Sequence, residues 1–232
     1  DYCVVGEPSS QAHLGDMIRV GRRGSLNASV RVQGRQGHVA YPEQVVNPIH
    51  QLAGLIAALT DITWDVDHNA YFPPTSFQVS NLTAGTGATN MVPDSAQALM
   101  NWRYSTSTTA EAIQAQVLAL IDQLGLTAEV TWTLSGRPFV TPRGRLTSVV
   151  SEVIESVTGQ APELSTGGGT SDGRFIATLG CELVELGPIN ATIHQVNETV
   201  AVADLKPLAE LYYGILDRLI GSQSSKGMTS SA

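Results

Sequence analysis

The sequence predicts an α/β protein of the α+β kind, in which a β-α-β-β-α-β module is inserted between two pieces of another, incomplete α/β domain. Four segments with alternating apolar and polar residues and two segments with helical spacing predict the module within residues 25–134. The flanking pieces contain few such segments, so we expect them to build only part of a sheet domain. The predicted boundaries are 1–23, 24–137 and 138–221.

The first half of the module is a strand, a loop, a helix and another strand. Residues 25–33 (SLNASVRVQ) alternate apolar and polar side chains, as a half-buried strand does. A loop punctuated by glycines follows over 34–42. Residues 44–60 then place apolar side chains at helical spacing, and Pro48 fits the first turn because its missing N–H costs little there. Residues 76–83 alternate again.

The other half repeats this order after a loop rich in Gly, Thr and Asn. Residues 96–104 predict the third strand. Ser107 or Thr108 is expected to cap a helix that reaches about Gly125 and has one apolar face. Residues 127–134 predict the last strand. Ferredoxin-like domains have this order, with two helices on one sheet face, so the opposite face needs cover or must be polar.

The flanking pieces begin with a short strand and continue, after the module, with helices. Residues 1–6 read as a strand that enters a turn. An amphipathic helix over 146–158 ends at Gly159. A short helix near 174–179 follows a glycine-rich stretch, and residues 182–186 predict a buried strand.

The chain closes on a helix and a polar tail. Asp204 is expected to cap the helix, which runs to about Ile220 with Pro207 in its first turn. Residues 222–232 are small and polar, and predict a disordered tail.

Composition and charge exclude several classes of function. A hydrophobic content of 42% is that of a globular protein with a real core. The net charge of −8 and the lack of a basic cluster disfavour nucleic acid as a partner. Apolar runs such as 52–59 are far too short to cross a bilayer, and no charged leader precedes an apolar core. Two cysteines, Cys3 and Cys181, make no disulfide framework, so we expect a cytoplasmic protein.

Local motifs alone do not assemble a metal site. No histidine pair has the spacing of a zinc-binding helix, and there is no C-x-x-C motif. Glu7 follows a strand, and a carboxylate in that position suits a hard metal. His38, between glycines, is either a loop residue without a role or a proton donor and acceptor near neutral pH. His194 lies in a polar loop after a buried strand, where α/β proteins hold ligands.

Glycine-rich and arginine-containing segments suggest a ligand with carboxylate groups. Residues 166–173 could cradle an anion on backbone N–H groups at a helix start. No Gly-Lys-Ser/Thr follows, so a small carboxylate fits better than a nucleotide. The segment Arg22–Arg23 and Arg103 could bind carboxylates in a bidentate fork, and ordinary surface arginines are the alternative.

Seven segments, taken in order, resemble a known family over nearly the whole chain to about residue 221. They are VVGEPSS, GDMIRVGRRGSL, GRQGHVAYPEQVVNP, TGATNMVP, NWRYS, GGGTSDGRF and GPINATIHQVNE. The chain thereby resembles the dizinc deacylase and peptidase family, which holds succinyl-diaminopimelate desuccinylases, acetylornithine deacetylases and carboxypeptidases. GGGTSDGRF and GPINATIHQVNE resemble the desuccinylase branch, whereas VGEP and GHVAYP are shared more widely.

The resemblance implies roles for individual residues. The module 24–137 would be a dimerisation or lid domain inserted in a zinc-peptidase-like catalytic domain. Glu7 would be a ligand of one zinc ion and His194 a ligand of the other. His38 would reach into the site of the partner subunit and stabilise an oxyanion. The resemblance also implies that the substrate pocket is lined by Arg22, Tyr41, Asn90, Arg103, Gly169, Thr170 and Asn190.

The implied reaction is hydrolysis of the succinyl amide of N-succinyl-LL-2,6-diaminopimelate to succinate and LL-2,6-diaminopimelate, a step of lysine and cell-wall precursor synthesis. The cofactor would be two zinc ions, with cobalt as an alternative. In the family a metal-binding histidine, a bridging aspartate, a catalytic glutamate and an adjacent ligand glutamate precede VGEP. They are absent here, so we expect a fragment that is inactive alone, binds zinc poorly and exposes apolar surface where the missing sheet would lie.

Alternatives stay open. The chain could be a dimerisation module without catalysis, in which residues 24–137 self-associate. Within the family, an acetylornithine deacetylase-like hydrolase is the alternative. Another chain, a swapped segment or the preceding piece as a separate polypeptide would cover the exposed apolar surface.

Overall fold

All four alternating segments of the sequence become strands of one sheet in a computed structural model that describes residues 1–65 and 67–221. Of the described residues, unit 1 comprises Asp1–Arg22 and those from Phe139 to Gly221, and unit 2 comprises those within Arg23–Pro138. The predicted tail, 222–232, lies outside the described residues. Within the two described ranges, no helix has the length and apolar character needed to span a membrane.

Twelve strands and five α-helices make up the described chain. The strands are β1 (Tyr2–Val5), β2 (Met17–Arg19), β3 (Gly21–Arg22), β4 (Gly24–Gln33), β5 (Gly37–His38), β6 (Ser76–Ala84), β7 (Met91–Val92), β8 (Ser95–Tyr104), β9 (Ala128–Gly136), β10 (Phe139–Val140), β11 (Glu163–Ser165) and β12 (Glu182–Glu185). The helices are α1 (Pro48–Thr60), α2 (Ala110–Gln123), α3 (Arg145–Thr158), α4 (Gly173–Ile176) and α5 (Val202–Ile220).

Unit 2 is a four-stranded antiparallel sheet in the order β6-β8-β4-β9, with α1 and α2 sharing its hydrophobic core. The predicted β-α-β-β-α-β order, and with it the α+β fold class, is confirmed. Alternation along β4 buries Leu26 and Val30 on the helix side. On the other face, Asn101 donates to Asn27 at 2.8 Å and Gln97 to Ser29 at 2.6 Å. That face is therefore polar, one of the two outcomes expected.

Both helices of unit 2 begin later than predicted. α1 starts at Pro48 rather than residue 44, because Asn47 caps it by accepting the N–H groups of Ile49 and His50. The predicted caps of α2 are wrong. Thr109 is the N-cap, and its hydroxyl accepts the N–H of Ala112 at 3.1 Å.

Unit 1 contains a four-stranded sheet in the order β1-β12-β2-β11, and α3 and α5 supply the rest of its core. The flanking pieces thus hold more strands than predicted, because β2 and β11 have three residues each, too few for a visible alternation. The predicted cap of α5 is also wrong. The helix begins at Val202, so Asp204 lies inside the first turn and Pro207 lies beyond it.

The last residues of the four strands β1, β12, β2 and β11 form one row across this sheet of unit 1. Val5 pairs with Glu185, Glu185 with Arg19, and Arg19 with Ser165. β12 and β2 are antiparallel but overlap only at this pair, so their carboxyl ends meet. The segments that follow the four strands consequently start from one line, the place where α/β sheets bind ligands.

Apolar surface is exposed beside β1, which is an edge strand of this sheet. A groove of about 690 Å³ lies between β1 and α5. Its lining is mainly apolar: Asp1, Tyr2, Val4, Gly6, Tyr212, Ile215, Leu216, Leu219 and Ile220. Unit 1 therefore has an apolar face that the described chain does not cover.

Candidate functional site

Glu7 and the loop that carries His194 are joined at the carboxyl ends of β1 and β12. The Ser10 hydroxyl donates to the carbonyl of Gly187 at 2.8 Å, and the N–H of Asn190 donates to the Ser10 carbonyl at 2.9 Å. Gly187 has to be glycine here, because a Cβ would overlap the Glu7 carbonyl. The structure thus places two of the predicted site residues, Glu7 and Asn190, in adjoining segments.

His194 has an unusual backbone conformation in that loop. Its φ is +60°, and that of Asn197 is +64°. Positive φ is uncommon for residues other than glycine and is often found at functional sites. The loop is fixed by Glu198, which accepts the N–H of His194 at 3.3 Å, and by Thr192, whose hydroxyl accepts the N–H of Thr199 at 3.0 Å. His194 is therefore an exposed residue on a locally bonded loop.

These residues do not complete a metal site. Among residues 1–65 and 67–221, no three or more His, Cys, Asp or Glu side chains are grouped closely enough to hold a metal ion. Catalytic zinc sites usually have three protein ligands. Glu7 and His194 could contribute at most part of such a set.

Arg22 contacts an acidic residue that the sequence analysis did not select. Its Nε donates to Oε2 of Glu185 at 2.9 Å, and its Nη2 bonds to the same oxygen. Its Nη1 donates to the carbonyl of Gly167 at 3.1 Å. The other carboxylate oxygen of Glu185 accepts the hydroxyl of Ser171. The sequence signal for this cluster was Glu185, the second glutamate of the segment ELVEL, which predicts a buried strand.

Gly169 and Thr170 are exposed residues between Gly167 and Ser171. The helix that follows, α4, has only four residues. A single turn contributes little dipole, so the helix start expected to cradle an anion is weaker than the sequence suggested. The side chains of Arg22 and Glu185 position this segment instead.

In unit 2, His38, Tyr41 and Asn90 come together. β5 pairs with β7, and the N–H of Val39 donates to the carbonyl of Asn90 at 3.1 Å. The His38 and Tyr41 rings are 5.9 Å apart. Nδ1 of His38 accepts the N–H of Ala40 at 3.0 Å, so in the neutral ring the proton is on Nε2. Nε2–H is thereby available as a donor.

Arg103 lies on the polar sheet face of unit 2, opposite Ser25 and Ser76. Burial, together with the positive charge of Arg103, lowers the pKa of Arg23. In the described chain neither arginine forms an ion pair, and Nε of Arg23 is buried without a partner. Two neighbouring guanidinium groups of this kind suit a carboxylate.

Comparison with known proteins gives a family and named relatives. The peptidase dimerisation domain family matches residues 20–129. The succinyl-diaminopimelate desuccinylase of Pseudomonas fluorescens is 56% identical over 220 residues, which are 95% of this chain and 57% of that protein. The enzyme of the same name from Alkalilimnicola ehrlichii is 51% identical, over 95% of this chain and 59% of its own length. The chain thus spans somewhat more than half the length of these relatives.

Solved structures share the fold. A tripeptidase from Staphylococcus aureus has a TM-score of 0.72 at 26% identity, over 91% of this chain and 56% of its own. An M20 family metallo-carboxypeptidase from Sulfolobus solfataricus has a TM-score of 0.75 at 17% identity. The match covers 93% of this chain and 63% of that protein. The second likeness concerns the fold alone.

Proposed function

Because this chain belongs to the family of the succinyl-diaminopimelate desuccinylases, we propose that it is part of an enzyme that hydrolyses the succinyl amide of N-succinyl-LL-2,6-diaminopimelate. The observation that carries the proposal is the 56% identity along 95% of the chain. The products would be succinate and LL-2,6-diaminopimelate, made in the cytoplasm for lysine synthesis. The free cysteines Cys3 and Cys181 agree with that compartment.

The metal centre of this enzyme would be shared between this chain and the rest of the protein. Glu7 would provide one ligand to the first zinc ion, or cobalt in its place, and His194 one ligand to the second. The described residues form no group of three ligands, so the others would come from the part of the relatives that this chain does not span. Bound zinc would lower the pKa of a water molecule. Alone, this chain would be inactive.

The chain's own residues would bind the substrate and stabilise charge. The free Nε2–H of His38 is suited to donate a hydrogen bond to an oxyanion, in the site of a partner subunit. Tyr41 and Asn90 adjoin it, and Asn190, Gly169 and Thr170 offer polar contacts. The substrate has three carboxylates, which suit Arg22 and Arg103.

Calorimetric titration with zinc tests the shared metal centre. We expect the isolated chain to bind zinc weakly, with no enthalpy change that saturates at two ions. Tight binding of two zinc ions by this chain alone would contradict the proposal.

Kinetics of the complete enzyme test the reaction. His38→Ala should lower kcat by about 10²-fold, the cost of losing one oxyanion donor. His50→Ala is the matched control, because His50 is an exposed residue of α1. N-acetylornithine should be a poor substrate. If it is preferred, the acetylornithine deacetylase alternative holds.

A second candidate function rests on the dimerisation-domain match over residues 20–129. On this interpretation unit 2 self-associates and the rest of the chain has no catalytic role. Dimerisation and hydrolysis can occur in one protein. A pure dimerisation module has no hydrolase activity to lose, so the kinetic test separates it from the hydrolase.

A further inference from the structure

Glu185 is a buried charge at the end of β12. Its side chain is 0% exposed, and Arg22, its partner, is buried as well. Both carboxylate oxygens are engaged. Oε2 accepts Nε–H and Nη2–H of Arg22, and Oε1 accepts the hydroxyl of Ser171.

These contacts anchor both ends of a glycine-rich loop, defined as residues 167–171. At one end, Arg22 donates from Nη1 to the carbonyl of Gly167 at 3.1 Å. At the other, Ser171 is bonded directly to Glu185. The Glu185 carboxylate therefore holds both ends of the loop. It holds Gly167 through Arg22, and it holds Ser171 by a direct hydrogen bond.

A second arginine reinforces the first end. Nη1 of Arg19 donates to the hydroxyl of Ser165 at 2.7 Å, and that hydroxyl accepts the N–H of Gly167 at 3.2 Å. Arg19 stands between Ser165 and Glu185 in the row of strand ends. The loop thus follows the row of strand ends, in which the side chains of Ser165, Arg19 and Glu185 all form hydrogen bonds.

Stability alone does not account for this arrangement. Removing two charges from water costs more than most geometries return, and apolar residues of similar volume often stabilise a core at least as well. What the ion pair supplies is direction, because two N–H groups of the planar Arg22 guanidinium, on Nε and Nη2, converge on one oxygen of Glu185.

We propose that Glu185 is a positioning residue, which holds Arg22 and the glycine-rich loop so that Gly169 and Thr170 present their backbone N–H groups to a carboxylate of the substrate. This inference rests on the proposed function. Gly169 has open space where a Cβ would be, so a ligand has room to approach the backbone. Arg22 has five N–H groups, of which the bonds to Glu185 and Gly167 use three.

The test is amide NMR of the full 232-residue chain, titrated with sodium succinate against sodium chloride of equal ionic strength. Glu185→Gln keeps the shape and removes the charge. Glu182→Gln is the matched control in the same strand, since Glu182 accepts the N–H of Leu146 and not a loop group.

In the wild type, the Gly169 and Thr170 amide signals should shift saturably with succinate. Glu185→Gln should move the loop signals before any addition, and speed their hydrogen exchange. It should also weaken succinate binding by about 10-fold, as expected for a lost charge-assisted hydrogen bond. Glu182→Gln should titrate as the wild type does.

A folded Glu185→Gln protein with wild-type loop signals, exchange and succinate response would overturn the proposal. Altered loop signals in Glu185→Gln, without a succinate response in any protein, would support the holding role and count against the proposed function instead. Should Glu185→Gln not fold, Ser171→Ala removes one anchor and keeps the ion pair. Unchanged Gly169 and Thr170 signals in that variant would also overturn the proposal.

Discussion

Gly168, the second residue of the glycine-rich loop, shows what a single residue contributes to the site. Its φ is +90°, and a Cβ added to it would lie 2.5 Å from Nη1 of Arg22. Neighbouring Gly169 has no such neighbour. The two adjacent glycines therefore differ in what they provide. Gly168 adopts a backbone conformation that other residues rarely adopt, and Gly169 leaves room for a ligand to approach the backbone.

Gly168→Ala should lower the free energy of unfolding by about 1–3 kcal/mol, because it combines a strained φ with a clash. Gly169→Ala should change it by no more than about 0.5 kcal/mol. Urea denaturation of both variants makes the comparison. Equal losses would mean that the loop is not held against Arg22 as described.

The Glu111 carboxyl has a pKa well below its usual range. A hydrogen bond from Arg137 is the largest cause that lowers it, to about 2 from 4.5. A lowered pKa means that the folded state favours the charged form. The stability from this pair is therefore present above pH 4.5 and is lost as the pH falls toward 2.

Arg137→Gln should raise the pKa of Glu111 toward 4.5, since the hydrogen bond and the positive charge are both lost. Carboxyl NMR titration measures this directly. Arg35→Gln, in the same unit, is the control. Because the pair is exposed, the lowering of the Glu111 pKa should be smaller in high salt. A Glu111 pKa that does not change with salt would contradict this account.

At the scale of elements, helix starts differ most from the sequence prediction. Ser107, Thr108 and Thr109 are consecutive residues of types that all cap helices. Only tertiary contacts select among them. Asn69 donates to the Ser107 hydroxyl at 3.1 Å, and the Thr109 hydroxyl remains to accept the N–H of Ala112.

Thr109→Ala should destabilise the chain by about 1 kcal/mol through loss of the α2 cap. Thr108→Ala should have a much smaller effect. Thermal unfolding of the two variants side by side tests this. If Thr108→Ala were the more damaging change, the cap assignment would be wrong.

The whole molecule consists of two units, of which unit 2 is interrupted by no other part of the chain. Its sheet, both helices and its aromatic cluster around Trp102 belong to one hydrophobic core. The dimerisation-domain match covers most of this unit. Self-association through residues 24–137 is therefore the expectation.

Light scattering after gel filtration should give twice the monomer mass for the full chain, and also for a protein of residues 23–138. The shorter protein has a complete core, so it should fold and keep the association. A monomer over the micromolar range in both cases would contradict the dimer. A dimer of the full chain only would place the contact in unit 1.

The sequence by itself determined the α+β class, the order of elements in unit 2 and the types of the candidate ligands. Those features are local, since a strand or helix of ten residues carries its periodicity in its own side chains. It missed β2 and β11, because three residues are too few to show a periodicity. It also left open whether His38 has a role in proton transfer or none. The resemblance, and not local spacing, selected Glu7 and His194.

Only the tertiary structure decided which distant residues meet. Arg22 and Glu185 are 163 positions apart, and no local pattern pairs them. The row Val5, Glu185, Arg19 and Ser165 exists because strands from separate pieces of the chain hydrogen-bond side by side. Strand pairing between remote segments depends on the whole chain's packing, so the anchoring of the glycine-rich loop was visible only after folding.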